Sequence, residues 1–168
     1  MIFLEYKEVA FELGALHAAE FNLNDIVFDP RTVLKCVFGC ADYGKLHTCP
    51  NQRSHLSMKE YEEIFRRYKG GVVVGTNDKK KSQDISYELE RKCFLDGYYF
   101  AFSLSDCAIC SECALGSKKE CRSPHMARPA FHSVGIDVFK TVRNLGMPIE
   151  VLRDRNETIN WYSAVFID

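Results

Sequence analysis

The sequence CAICSECALGSKKEC, from Cys107 to Cys121, gathers four cysteines within fifteen residues, and we expect the rest of the chain to be organised around it. Cys107, Cys110 and Cys113 recur at every third position, and Cys121 follows further along. This spacing is typical of a short loop that wraps its thiolates around the corners of one iron–sulfur cube. Structural zinc more often binds separated Cys-x-x-Cys pairs. We therefore expect a [4Fe–4S] cluster on these four cysteines, with zinc as the alternative.

Two overlapping Cys-x-x-Cys motifs in this stretch argue against thiol–disulfide exchange. One motif joins Cys107 to Cys110, and the next joins Cys110 to Cys113. A dithiol site uses two cysteines, so the third has a role in a cluster but none in a redox pair. The chain also has no G-x-G-x-x-G, H-E-x-x-H or G-x-S-x-G motif and no phosphate-binding P-loop. Nucleotide binding and hydrolysis therefore have no motif support.

A second segment, residues 36–50, carries three more cysteines, Cys36, Cys40 and Cys49, with two glycines between them that permit tight turns. Pro50 directly follows the last cysteine, which is typical of the end of an iron–sulfur loop. We expect a second iron–sulfur cluster here, the alternative being that two of these cysteines belong to a zinc site or to the core. The candidates for the fourth ligand are Cys93, His47, His55, a water molecule or a substrate.

Composition places few other limits on function. The chain has 168 residues, 46% of them hydrophobic, and a net charge of −1, so we expect one domain over residues 1–168 without a nucleic-acid-binding face. The first residues show no signal-peptide pattern, and no window is apolar enough for a membrane span. We expect a cytoplasmic protein, in which the eight cysteines are thiols or metal ligands rather than disulfides.

Hydrophobic spacing predicts a chain of mixed secondary structure. The predicted helices cover residues 6–21, 58–70 after a capping box at Ser57, 82–96 after a loop from 76, and 136–144. The predicted strands cover residues 72–74, 98–104, 149–152 and 159–167, the last two as a hairpin. Cys93 follows Leu89 by four residues on the apolar face of a helix, so a core thiol is as good an explanation as a ligand. These elements indicate an α+β or α/β domain, with a small mixed sheet covered by helices and with cysteine loops at about 36–50 and 105–129.

The cysteines and their neighbours resemble a known family, the predicted metal-binding proteins grouped as domain-of-unknown-function family 2284. The matching positions are Ala10 to Gly14, Lys35-Cys36, Cys40, Tyr43-Gly44, Cys49-Pro50, Leu89-Glu90, Gly97-Tyr98, Cys107, Cys110, Cys113, Cys121-Arg122, Pro124, Arg128-Pro129 and Gly135 to Val138. The resemblance covers most of the chain and implies a metal-binding protein of iron–sulfur type, but it does not imply a reaction.

The chain departs from the family pattern at a few positions near the cysteines. Asn51 stands where a second proline is usual after the third cysteine, and Asp106 stands in place of a glycine ahead of the triple-cysteine loop. Ala130 and His132 replace a serine and a glutamate, which weakens the case for acid–base chemistry in that segment. Cys93 is not part of the family pattern.

The cysteine count and the missing substrate motifs predict an electron-transfer or redox accessory protein that carries two [4Fe–4S] clusters and serves a redox partner protein. One alternative is an enzyme or cluster-delivery protein with a labile iron at the three-cysteine site. The other is a zinc-stabilised interaction module.

Overall fold

A four-stranded sheet forms the centre of the fold. The structure is a computed structural model that describes residues 3–53, 55–117, 119–154 and 156–168. The strands are β1 (His17–Asn22), β2 (Gly70–Thr76), β3 (Phe102–Leu104) and β4 (Trp161–Phe166), in the order β1-β2-β4-β3. All three pairings between them are antiparallel, so the predicted α+β class is confirmed, with an antiparallel rather than a mixed sheet.

Strand β2 lies in the interior of the sheet and is buried along its whole length, as its run of valines predicts. Val73 packs into the core on one face, while Val72 and Val74 pack into the core on the other. Gly71 permits the close approach of β4, because a Cβ atom there would lie 1.9 Å from the carbonyl oxygen of Val165. The two glycines that begin β2 are therefore strand residues rather than the end of a helix.

Five helices surround the sheet within the described residues: α1 (Leu4–Glu12), α2 (Val33–Gly39), α3 (Met58–Phe65), α4 (Lys79–Leu95) and α5 (Val138–Asn144). Helices α1 and α4 cover one face of the sheet through residues such as Ala10 and Leu89. Helices α3 and α5 contribute Phe65 and Val142 to the core on the other face. No helix in the described part of the chain is both long and apolar enough to cross a membrane.

The predicted helix over residues 6–21 is wrong in its second half. Helix α1 ends at Glu12, and Gly14 then adopts a positive φ of 94°, which reverses the chain. His17 to Asn22 form β1 at the edge of the sheet, paired with β2. The sheet supplies these residues with backbone partners that the apolar spacing alone could not reveal.

The predicted hairpin at the C-terminus is also wrong. Strand β4 is present, but it pairs with β2 on one side and β3 on the other, so no edge is left for residues 149–152. Those residues are not a strand, and Arg155 in the predicted turn lies outside the described residues.

The ends of three other elements differ from the predictions. Helix α4 begins at Lys79, because the Asp78 side chain accepts a hydrogen bond from the Lys81 amide, and the predicted loop is shorter. The strand predicted over 98–104 is confined to β3. The capping box at Ser57 is confirmed, with α3 ending at Phe65 rather than near residue 70.

Candidate metal centre

The cysteines of the second loop, Cys107, Cys110, Cys113 and Cys121, line one open cavity of about 500 Å³. All four are half-buried free thiols. The loop follows β3 directly, and its described residues contain one short 3-10 turn, Ala114–Ser117, with otherwise irregular backbone. The structure thus brings together the four residues that the sequence grouped.

Helix α4 holds the beginning of this loop. The buried Gln83 side chain accepts a hydrogen bond through Oε1 from the Ala108 amide, at 2.6 Å. The same carboxamide carries a buried Nε2 group without a hydrogen-bond partner among the described residues. Burial raises the pKa of the Cys107 thiol, while the neighbouring Ile109 amide and Gln83 side chain act in the opposite direction. An N–H donor with no partner beside a thiol suits a bound group that carries negative charge on sulfur.

A buried ion pair holds the end of the loop. Arg128 donates to both carboxylate oxygens of Glu90 on α4, at 2.5 and 2.9 Å, and only 10% and 14% of the two side chains are exposed. Glu90 also accepts hydrogen bonds from the amide and hydroxyl of Ser103 in β3. The guanidinium lies over the rings of Tyr87 and Phe102. The chain that follows Cys121 is therefore fixed to both a helix and a strand.

The cysteines of the first segment lie around a smaller cavity of about 50 Å³. Cys36 is buried on α2 rather than in a loop, Cys40 is exposed at the end of that helix, and Cys49 is buried. The Cys49 thiol donates to the carbonyl of Asp42 at 3.5 Å. Burial, followed by the neighbouring Cys40 and Cys49 and the carboxylate of Asp106, raises the pKa of Cys36 to about 11.

Hydrogen bonds within the described residues 40–53 are all local. They include those from Lys45 to the Ala41 carbonyl and from Gln52 to the Gly44 carbonyl, and none joins residues more than eight apart. This part of the chain is therefore positioned mainly by its own turns and by burial of Cys49.

None of the fourth-ligand candidates from the sequence lies on the wall of the three-cysteine cavity. His47 lines the four-cysteine cavity instead, and His55 packs its ring against Tyr61. Cys93 is fully buried among apolar residues of α1, α4 and β2, and burial raises the pKa of its thiol to about 12. The structure gives Cys93 the surroundings of a core thiol.

Residues that the sequence did not single out as ligands line the three-cysteine cavity in their place. They are Asp106 and His132, and Cys107, which the sequence assigned to the other cluster, lines this cavity as well. The sequence marked Asp106 and His132 only as departures from the family pattern, and His132 lies in the turn Phe131–Val134, which no local pattern connects to Cys36. Gln83 likewise had no sequence signal, since its contact with the loop depends on tertiary packing.

The two cavities adjoin each other. Cys107 lines both of them, and Asp42, Lys45 and His47 from the first cysteine segment line the four-cysteine cavity. Within the described residues, no group of three or more His, Cys, Asp or Glu side chains is arranged closely enough to hold a single metal ion. The cysteine sulfurs, which are soft metal donors, are instead distributed around the two neighbouring cavities.

Seven free thiols around two adjoining cavities are a donor set of the kind that metal-binding proteins use. The chain belongs to the DUF2284 family: the family model, described as predicted metal-binding protein, matches residues 19–167. The family resemblance seen in the sequence is thus confirmed. No curated protein and no solved structure matches the chain.

Proposed function

We propose that the protein binds two [4Fe–4S] clusters and acts as an electron-transfer or redox accessory protein. The observation that carries the proposal is the grouping of four thiols around one cavity, beside a second cavity lined by three. When bound, such clusters exchange single electrons. Eight free cysteines fit a reducing compartment such as the cytoplasm, and we take residues 1–168 as one metal-binding domain.

In this proposal Cys107, Cys110, Cys113 and Cys121 hold the first cluster. A single zinc ion needs its thiolates within about 2.3 Å of one point. A cavity of about 500 Å³ walled by four thiols has room for a larger group in which each thiolate binds a different metal atom. This cavity therefore has room for a cluster.

The residues around this cavity suit the negative charge that four thiolates bring. Lys45 and Lys79 line it beside the carboxylates of Asp42 and Glu112, so these charges balance and hydrogen bonds to sulfur supply the stabilisation. The unpartnered Nε2 of Gln83 and the amide of Ile109 are available to sulfur at Cys107. Hydrogen bonds of this kind make reduction easier, because they stabilise the more negative state.

Cys36, Cys40 and Cys49 hold the second cluster. Cys107 lines both cavities, so the two clusters would be neighbours and an electron could pass between them. The exposed Cys40 provides a surface position at which a redox partner protein could approach.

Electron paramagnetic resonance of the anaerobically purified, reduced protein tests the proposal. We expect signals from paramagnetic clusters, and interaction between neighbouring clusters should broaden them. A diamagnetic protein that releases zinc and unfolds when a chelator is added would instead support the zinc-stabilised module.

A second candidate function is an enzyme or cluster-delivery protein with a labile iron at the three-cysteine site. It is favoured by the cavity wall, where Asp106 and His132 stand in place of a fourth cysteine belonging to that segment. Oxygen and nitrogen donors leave more readily than thiolate from iron, so an external ligand could replace them. Adding cyanide to the reduced protein should then shift the signal of one cluster, whereas an unchanged spectrum would favour a closed electron carrier.

A further inference from the structure

A third cavity, of about 510 Å³, lies between the C-terminal strand and α5. Its apolar walls come from Phe131, Phe139, Ile149, Trp161 and Tyr162, among others. The volume falls within the range of pockets that hold small organic molecules. The cysteines of the two candidate metal sites do not line it, so its ligand must be recognised by other groups.

Hydrogen bonds hold together the segments at the entrance of this cavity, which we call its lip. Tyr162 donates its hydroxyl, and Asn160 its side-chain amide, to the carbonyl of Pro148. These hydrogen bonds join the segment after α5 to β4 and its approach. Val151 and Ile159 on the lip nevertheless remain 65% and 43% exposed. Apolar side chains held in place beside a cavity favour a ligand with an apolar body.

The charged side chains among the described lining residues are acidic. Glu150 and Glu157 lie on the exposed segment, and Asp106 is half-buried. Arg143 approaches Glu150 at 3.7 Å, but both side chains are mostly exposed, so the pair is weak. Carboxylates combined with the faces of aromatic rings are the surroundings that organic ammonium groups prefer.

We propose that this cavity binds a small organic cation, an ammonium group carried on an aromatic or branched aliphatic body. The Lys79 ammonium, which lines the four-cysteine cavity, already lies 5.4 Å from the centre of the Trp161 ring, so the ligand's ammonium group is drawn to the carboxylates and the other aromatic rings. The ligand contacts the apolar walls with its body and the carboxylates with its ammonium group.

The position of the cavity connects such a ligand with the three-cysteine site. Asp106 and His132 line both this cavity and the cavity of Cys36, Cys40 and Cys49. A bound molecule would therefore contact the same two side chains that face that site. This consequence rests on the proposed clusters, whereas the binding of the cation does not.

Trp161 is the only tryptophan of the chain, so its fluorescence reports on this cavity. We would titrate the purified protein with 2-phenylethylammonium and, separately, with 3-phenylpropionate, which has a similar body and the opposite charge. Calorimetry on the same sample provides an independent affinity. We expect saturable binding of the ammonium compound, at least about tenfold tighter than that of the carboxylate.

A double substitution, Glu150→Gln with Glu157→Gln, should weaken binding of the ammonium compound about three- to tenfold. Both residues are exposed, so the fold should be retained, which circular dichroism can verify. The matched control is Glu12→Gln with Glu63→Gln, two exposed helix positions that do not line the cavity. The control should bind as the original protein does.

Failure of saturable binding would overturn the proposal, as would equal affinity for the two probes or unchanged affinity in the double variant. Iron and sulfide measured on the same sample separate this outcome from the fate of the clusters. A protein with iron and sulfide that binds neither probe overturns the cation site alone. A protein without them that binds the ammonium compound supports the cation site and contradicts the clusters.

Discussion

The two cysteine segments differ in how far their hydrogen bonds reach along the chain. The four-cysteine loop is tied to α4 and β3 through Gln83 and through the Arg128–Glu90 pair, which spans 38 residues. The described residues 40–53 of the three-cysteine segment bond only to residues at most eight away. The first arrangement is fixed by the fold, while the second depends more on whatever its cysteines bind. This difference suggests a closed site and a more labile one.

The largest effect should come from replacing one cysteine of each set. In the proposed two-cluster protein, Cys110→Ser should remove the iron of the four-cysteine loop, and Cys40→Ser that of the other segment, because each loses a thiolate ligand. Each variant should keep about half of the iron of the original protein. Iron analysis after anaerobic purification measures this. Loss of all iron in both variants would show that the two sets form one site.

The second-largest effect should come from breaking the Arg128–Glu90 pair, which we expect to hold the end of the four-cysteine loop in place. Arg128→Met leaves the Glu90 carboxylate buried without its cation, so the free energy of unfolding should fall by about 3 kcal/mol. Denaturant unfolding measures the loss. The control is Arg66→Met, which breaks an exposed pair with Glu62 and should cost less than about 1 kcal/mol. Equal losses in the two variants would contradict a structural role for the buried pair.

Cys93 belongs to neither cysteine segment, so replacing it separates the loss of a core thiol from the loss of a metal ligand. Cys93→Ala should keep all of the iron and lose about 1–2 kcal/mol of stability, as expected when a packed core atom is removed. A variant that lost iron would identify Cys93 as a ligand.

The Cys93 thiol also makes the free energy of unfolding depend on pH in the alkaline range. Burial raises the pKa of Cys93 from 9.0 to about 12, so the unfolded chain loses this proton at a lower pH than the folded one. Stability from this group is therefore present below pH 9 and is lost as the pH rises towards 12, by up to about 1.4 kcal/mol per pH unit. The fall measured between pH 9 and 11 should be smaller in Cys93→Ala.

The smallest effect concerns Gln83. Gln83→Leu removes the unpartnered Nε2 donor, so the four-cysteine cluster should become harder to reduce by about 20–60 mV, corresponding to a hydrogen bond of about 0.5–1.5 kcal/mol. Potentiometric titration followed by paramagnetic resonance measures the potential. The proposed cluster at Cys36, Cys40 and Cys49 is the internal control, because Gln83 contacts Ala108 and Cys107 of the other loop. Equal shifts at both clusters would point to a general structural change.

The features that the sequence predicted correctly are those with local causes. The valines of β2 and the capping box at Ser57 depend on neighbours within a few residues, and cysteine spacing grouped Cys107 to Cys121 without any structure. The error at His17 to Asn22 arose because an edge strand can carry apolar residues at helical spacing. The strands that pair with β4 could not be predicted from the sequence either, because strand order depends on the whole sheet.

The surroundings of the cysteines could not be predicted in the same way. Gln83 and His132 approach the two segments from a helix and a turn far along the chain, and the pairing of Glu90 with Arg128 joins residues 38 positions apart. Only tertiary packing reveals these contacts. Tertiary packing also places His47 on the wall of the four-cysteine cavity and Cys93 in the apolar core, rather than at the three-cysteine site.

The number of iron and sulfide ions per chain, measured after anaerobic purification, tests the central claim most directly. Two [4Fe–4S] clusters predict about eight of each per chain. About one zinc per chain with no sulfide would contradict the account.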